Sequence, residues 1–229
     1  MLTLYLTDMA FILSIETSTS ICSVALHTDG ELLAYKAAPI NRSHAESLLP
    51  MIHHLLQDYA MQDLEGIAIS EGPGSYTGLR IGTATAMGLC YALDIPLIAV
   101  NTLEALAWQV KPCNIHRAWC CPMIDARRME VYCLLMNGEG NIVTEAHPHI
   151  VTEDSFQELL AAEEVWFFGD GAAKCKPLLA HHKHAIFVDG IRPSAQQVGT
   201  LAYTDFKNRQ FVDINTFSPK YLKPFMSLH

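Results

Sequence analysis

Short apolar runs broken by polar turns alternate along this chain with stretches whose apolar residues recur every three or four positions, a pattern of strands interleaved with helices. Residues 11–15 form a compact apolar run that predicts a strand, followed by a small polar bend, Glu16-Thr17-Ser18-Thr19. Residues 21–27 and 32–37 predict two more strands, and Asp29-Gly30 between them suits a two-residue hairpin, whose central residues need positive φ. A helix is expected next. Ser43 and Glu46 have capping-box spacing, and Leu48, Leu49, Ile52, Leu55, Leu56 and Tyr59 recur at helical spacing. Pro50 inside that run predicts a kink or a restart. Residues 66–70 then predict a strand, 77–93 a helix after a glycine-rich loop, 97–100 a strand and 103–108 a short helix.

The second half repeats this order. Residues 118–124 and 130–136 predict strands around the polar bend Asp125-Ala126-Arg127-Arg128, and a third strand starts at 142–145 after the turn Asn137-Gly138-Glu139-Gly140. Thr152 is expected to cap a helix, with Glu153 and Asp154 in its first turn where negative charge meets the positive helix end. A strand at 165–168 follows, a helix opened by Gly169-Asp170-Gly171-Ala172, a strand at 185–188, and a helix capped by Ser194 that runs to about 208. Each half therefore reads βββαβαβα, a duplication in order rather than in residue identity. Hairpin strands extended by crossover helices build a mixed sheet with helices on both faces. Two such lobes enclose a cleft faced by the glycine-rich turns. This α/β plan is that of the two-lobed actin-like and sugar-kinase-like ATPases, a ribonuclease-H-like fold, and a fold alone does not assign an activity. The lobes are expected at 11–108 and 109–211, with 212–229 packing back on the first.

The loop Glu71-Gly72-Pro73-Gly74-Ser75-Tyr76-Thr77-Gly78-Leu79-Arg80-Ile81-Gly82 carries the first candidate chemistry. Free N–H groups at a helix start could cradle an anion, or the glycines could serve only a tight turn and close helix packing. The Gly-Lys-Ser/Thr ending of a P-loop is absent. From Ile81 to Leu93 the following helix has no charged residue, and Gly82, Ala86, Gly88 and Ala92 are small. A helix apolar all round must be covered all round. One sheet covers one side, so the remainder is expected to face partly the first helix and partly another protein.

Composition narrows the function classes. The 229 residues are 50% hydrophobic and 17% charged, enough for a sizeable core. A net charge of −9 argues against the chain gripping nucleic acid by itself. Seven scattered cysteines read as reduced cytosolic thiols, and no apolar stretch reaches the ~18 residues of a membrane span. No secretory signal is visible at the start, and Asn41-Arg42-Ser43, a formal glycosylation sequon, is read as a helix start. The eleven histidines show no matched carboxylate at ligand spacing and are expected at the surface. Ser75 and Thr77 read as helix caps, since no histidine lies near them. Arg80, Arg127 and Arg128 fall near the cleft turns, where they could hold an anion or a partner's carboxylate, or bridge the lobes.

The segments Ile12-Leu13-Ser14-Ile15-Glu16-Thr17-Ser18, Gly72 through Gly82, and Asp125-Ala126-Arg127-Arg128-Met129-Glu130-Val131-Tyr132 together resemble the TsaB family, also called YeaZ. The resemblance spans about residues 11–225 and leaves residues 1–10 as an apparent N-terminal extension or a misassigned start. It implies a subunit of the bacterial threonylcarbamoyladenosine pathway, which modifies the adenosine next to the anticodon. In that pathway a TsaD-like paralogue performs the transfer, a TsaE-like ATPase joins, and tRNA is met only through the complex. The resemblance implies no catalytic, cofactor or metal residues here. Where TsaD-like chains carry two metal-binding histidines, this chain has Thr102 and Leu106, and Leu cannot ligate a metal. Partner-binding candidates are Ser43, Glu46 and Leu49 on the first helix. In the loop and second helix they are Gly74, Ser75, Tyr76, Thr77, Gly78, Arg80, Gly82, Thr85, Ala86 and Leu89. A charge at Ala86 is expected to weaken docking or unfold the chain. Without its partner the same face would pair two copies. The competing readings are a free-standing ATPase of the same fold and a glycoprotease-like metallopeptidase.

Overall fold

The computed structural model describes residues 10–39 and 43–223. Residues 1–9, on which the expectation of an extension falls, Ile40, Asn41, Arg42 and residues 224–229 lie outside the described residues. The first half runs β1 (Phe11–Glu16), β2 (Ser23–Thr28), β3 (Glu31–Ala37), α1 (His44–Leu55), β4 (Leu64–Gly72), α2 (Tyr76–Leu93), β5 (Leu97–Asn101) and α3 (Thr102–Val110). The second runs β6 (Trp119–Asp125), β7 (Glu130–Met136), β8 (Ile142–Ile150), α4 (Gln157–Ala162), β9 (Val165–Phe168), α5 (Ala172–Leu179), β10 (Ala185–Val188) and α6 (Ala195–Lys207). The two five-stranded sheets have equivalent orders, β3-β2-β1-β4-β5 and β8-β7-β6-β9-β10. In each, the first three strands pair antiparallel and the crossover strands add parallel. The duplication expected from the pattern is thus present down to the pairing.

Local chemistry explains most boundaries. Asp29 and Gly30 take φ of 49° and 82° and close the β2–β3 hairpin. Ser43 accepts from the Glu46 amide at the start of α1. Pro50 brings no restart, and α1 is continuous from His44 to Leu55, ending short of Tyr59. Pro50 lies on the exposed face, where the carbonyl freed one turn earlier is open to water. Thr152 does not cap α4. β8 runs on to Ile150, with Pro148 tolerated because β8 is an edge strand. Thr152 and Ser155 then close a turn, with the Thr152 amide donating to Ser155 Oγ at 2.9 Å. Only after Phe156, at φ 62°, does the helix begin.

The helices do not stay with their own half. α1 and α2 cover one face of the first sheet, burying Leu13, Ile15, Leu48, Ile52, Ile67 and Ala86. The other face is covered by α6, where Val198 and Ala202 meet Ile12, Ala68, Ile98 and Val100. Reciprocally, α3 covers the second sheet, with Leu103, Leu106 and Ala107 against Cys120, Ile124 and Leu134. The expected lobes 11–108 and 109–211 therefore separate the sheets but not the layers, because each half lends its last helix to the other. The close approach of α6 needs Gly199, where a Cβ would collide with the His27 ring. The described part of the tail, 212–223, returns to the first lobe. The Val212 amide donates to Leu97 O at 3.0 Å, and Ile214 and Phe217 pack on the first core.

Candidate functional site: the cleft and the outer face of α2

The cleft lies at the C-terminal ends of the strands of both sheets and encloses about 1090 Å³. One wall is built from the first bend and the glycine-rich loop. Ser75 caps α2 by accepting from the Gly78 amide at 3.3 Å, and its own amide donates to Ser18 O at 2.6 Å. A Cβ on Gly74 would collide with the Ser18 carbonyl, on Gly78 with the Thr17 carbonyl, and on Gly82 with Thr17 Oγ1. The glycines thus admit the Thr17–Ser18 backbone against the helix start. Of the two roles open to this loop, close packing is the one these contacts serve, since a side chain on any of the three glycines would strike the Thr17–Ser18 segment.

Glu16 at the end of β1 is fully buried. The Ser18 amide donates to Glu16 Oε1 at 2.6 Å. Burial holds its carboxyl above the usual carboxylate range. The Ser18 and Ser70 hydroxyls and the Ser18 amide oppose that rise. Neither hydroxyl, however, meets hydrogen-bond geometry, and Glu16 Oε2 and Thr17 Oγ1 also have no partner among the described residues. Glu71, one strand over, is likewise raised by burial, and Lys220 at 3.8 Å draws it partly back.

The opposite wall is the β6–β7 turn. Arg127 and Arg128 sit at φ 69° and 50°, a left-handed pair without glycine. The turn is pinned from within: the Arg127 amide donates to Asp125 Oδ1 at 2.6 Å, the Ala126 amide to Glu130 O at 3.1 Å and the Glu130 amide to Arg127 O at 3.2 Å. Lys174 Nζ holds Asp125 Oδ1 at 2.6 Å, and Lys223 from the tail pairs with Glu130. Asp170, above its ordinary range through burial, accepts from the Asp125 amide at 3.1 Å.

The cleft brings together Ser43, Gly74, Ser75, Tyr76, Thr77 and Gly78 on one side with Arg127 and Arg128 on the other. Seven sequence candidates lie outside it. Arg80 is exposed but engaged, with its guanidinium 4.1 Å from the Tyr76 ring centre and Nε donating to Tyr221 OH at 3.2 Å. Glu46 and Leu49 are exposed on α1. Gly82 and Ala86 face the core, Leu89 is half-buried against it, and Thr85 Oγ donates to Ile81 O at 2.9 Å. The outward face of α2 is instead Thr77, Arg80, Ala84, Gly88, Tyr91 and Ala92. Tyr91 is 81% exposed, and nothing lies near the place a Gly88 Cβ would take. Sequence reasoning missed Ala84 and Tyr91. Their spacing of three and four from Arg80 and Gly88 is the signal that could have found them.

Other candidate chemistry is inward or dispersed. Thr102 and Leu106 are fully buried. Among the described residues no group of three or more His, Cys, Asp or Glu side chains is placed to hold a metal ion. Burial pushes the thiols of Cys22, Cys120 and Cys175 up to about 11 and Cys90 to about 12, far from a thiolate nucleophile at neutral pH. Of the histidines, His27 is buried, contrary to the expectation of surface placement.

Comparison with known proteins matches residues 38–198 to the family described as TsaD, tRNA N6-adenosine threonylcarbamoyltransferase. The tRNA threonylcarbamoyladenosine biosynthesis protein TsaB of Escherichia coli is 32% identical over 93% of this chain and 94% of its own length. The Bacillus subtilis protein of the same name is 30% identical, covering 93% of each. The solved structure of YeaZ from Pseudomonas aeruginosa superposes with a TM-score of 0.78 at 29% identity, covering 93% of this chain and all of that one. An activator of 2-hydroxyisocaproyl-CoA dehydratase from Clostridium difficile shares the fold alone, with a TM-score of 0.51 at 9% identity over 87% of this chain and 97% of that one.

Proposed function

The chain belongs to the TsaB family, and from that membership we propose that it is a non-catalytic subunit of a tRNA threonylcarbamoyladenosine synthesis complex. In this reading it docks a TsaD-like transferase paralogue on the outward faces of α1 and α2, and a TsaE-like ATPase joins the pair. The observation that carries the reading is the outer face of α2. It is a run of small or aromatic residues open to solvent, Ala84, Gly88, Tyr91 and Ala92, and on α1, which packs against α2, Leu49 is 58% exposed. An apolar strip of this kind along an exposed helix face is what a partner surface covers. Arg80 at its head, stacked on Tyr76, adds an orienting charge. Alone, the chain would cover this strip by two-fold pairing with a second copy. It meets tRNA only through the complex, as its charge of −9 favours. Seven free thiols suit a cytoplasmic setting, and no described helix is long and apolar enough to cross a membrane.

The free-standing ATPase is less favoured, because the relatives matched over most of the chain are TsaB proteins and the dehydratase activator shares the fold alone at 9% identity. The metallopeptidase is less favoured because Thr102 and Leu106 stand where a ligand pair would be needed. The test is size-exclusion chromatography of the chain mixed with its TsaD-like partner, together with an assay of modified tRNA. Ala84→Glu should keep the melting temperature of the isolated chain, abolish co-elution and lower modification to the level seen without this subunit. Full co-elution of Ala84→Glu would remove α2 as the docking face. An unchanged rate on omitting the chain would remove the subunit role.

A further inference from the structure

The foot of α2, at the end away from the cleft, carries a second hollow. The chain leaves the helix through Asp94 in the left-handed conformation, φ 54° and ψ 43°, and turns through Ile95 and Pro96 into β5. The tail comes back along the same edge, where the Val212 amide donates to Leu97 O. Between the helix end and residues 211–214 lies a pocket of about 390 Å³. Its apolar lining, Cys90, Leu97, Val212 and Ile214, belongs to the first core or packs on it. Two exposed aromatic residues, Tyr91 from the helix and Phe211 from the tail, complete the walls.

The charge of this pocket is of one sign. Its lining holds two carboxylates, Asp94 and Asp213, and no Lys, Arg or His. The Asn215 amide, the Asn215 side chain and the Thr216 hydroxyl donate to Asp213 and keep its carboxyl below the usual carboxylate range. Asp94 is exposed, and among the described residues its carboxylate makes no hydrogen bond or ion pair. The last turn of α2 has no basic residue, so the partial negative charge of the final helix carbonyls is unmatched as well. Aromatic walls beside carboxylates suit a cation carried on an apolar stem, and a guanidinium above all, since it stacks on rings and sheds water readily. The occupant is argued from this charge. A second copy would bring a further −9, so the complementary surface is that of a different, basic partner.

We infer that this pocket receives a basic side chain, arginine by preference, from the protein that docks on α2. The inference rests on the α2 docking reading and adds a charged anchor at the foot of the strip, with Tyr91 common to both. An arginine seated in a pocket of this kind is the usual form of an interface hot spot.

The experiment is calorimetric titration of the intact chain with its TsaD-like partner at about 50 mM and about 300 mM salt, which spans strong and weak screening. Asn tolerates the left-handed conformation as Asp does, so Asp94→Asn should melt with wild type. It should bind at least about fivefold more weakly at low salt, with a flatter salt dependence. Asp94→Lys should bind more weakly again. Asp154→Asn makes the same charge change on an exposed turn of the second lobe and should stay within about twofold of wild type. Wild-type affinity in Asp94→Asn, while Ala84→Glu abolishes binding, would overturn the anchor and leave the docking face standing. Wild-type affinity in Ala84→Glu would remove the docking face and the anchor with it. Loss of self-association by isolated Asp94→Asn, with partner binding unchanged, would overturn the inference in favour of a second copy as occupant.

Discussion

Two buried titratable residues in the first lobe pull stability in opposite directions with pH. Glu16 has its folded pKa raised by burial, so the native state takes up a proton before the unfolded chain does. Its ionised form costs stability at neutral pH, and stability should rise as pH falls through the folded pKa toward 4.5. His27 lies between the first sheet and α6, its Nε2 donating to Gln196 O at 3.0 Å, and burial lowers its pKa below 6.5. There the unfolded chain binds the proton first, so stability present above 6.5 is lost as pH falls from that value toward the folded pKa. Urea denaturation from pH 8 to 5 should show Glu16→Gln more stable than wild type at neutral pH, with the gap narrowing in acid; a gap that widens on acidification would contradict the assignment. Glycine substitutions separate packing from propensity at the same scale. Gly78→Ala should lose about 1–3 kcal/mol, because its methyl meets the Thr17 carbonyl, which cannot rotate away. That loss should appear although Ala is the better helix former.

At the scale of elements, α2 carries the clearest conflict between stability and association. Gly88→Ala adds a methyl where nothing lies near and replaces a helix-interior glycine, so the isolated chain should gain about 0.5–1 kcal/mol. The same methyl stands on the outward strip with Ala84 and Tyr91, so affinity for a TsaD-like partner should fall. Thermal melting and a binding titration on the one variant check both, and tighter binding would place the docking surface elsewhere. Ala86→Glu does not make this distinction. Ala86 is fully buried, and a charge there tests folding alone. The helix itself was legible: Ser75 as cap, the uncharged run from Ile81 and the small residues all read directly from the sequence. Its facing was not, because Ala84, Ala86 and Ala92 are chemically alike. Only the burial of Leu79, Thr83 and Cys90 shows which side the sheet takes. The β6–β7 turn was legible as a bend with two arginines. That both are left-handed and unpaired was not, since the pairing lysines come from α5 and the far tail.

For the whole molecule, the order βββαβαβα was readable twice because each hairpin, cap and apolar period is local. The exchange of last helices was not. An amphipathic helix such as α6 records that one face is buried, not which sheet buries it. The exchange changes what a domain boundary means here. A fragment of residues 1–110 would keep α1 and α2 but leave Ile12, Ala68, Ile98 and Val100 without the cover of α6. A fragment of 111–229 would leave Cys120, Ile124, Leu134 and Met136 without α3. At roughly 1.5–3 kcal/mol for each large aliphatic side chain uncovered, either loss is comparable with the about 5–15 kcal/mol that holds an ordinary domain together. Lys223 paired with Glu130 and the Lys220 amide donating to Glu71 O at 2.7 Å add a strap from the tail to both lobes. The intact chain should therefore unfold in one calorimetric transition rather than two, and neither fragment should unfold cooperatively alone. Co-expression of the two fragments should restore a soluble complex with a single transition, because the exchanged helices then find their sheets. A cooperative melt from either fragment by itself would mean that the reciprocal helix cover is dispensable, and that the two lobes are independent units after all.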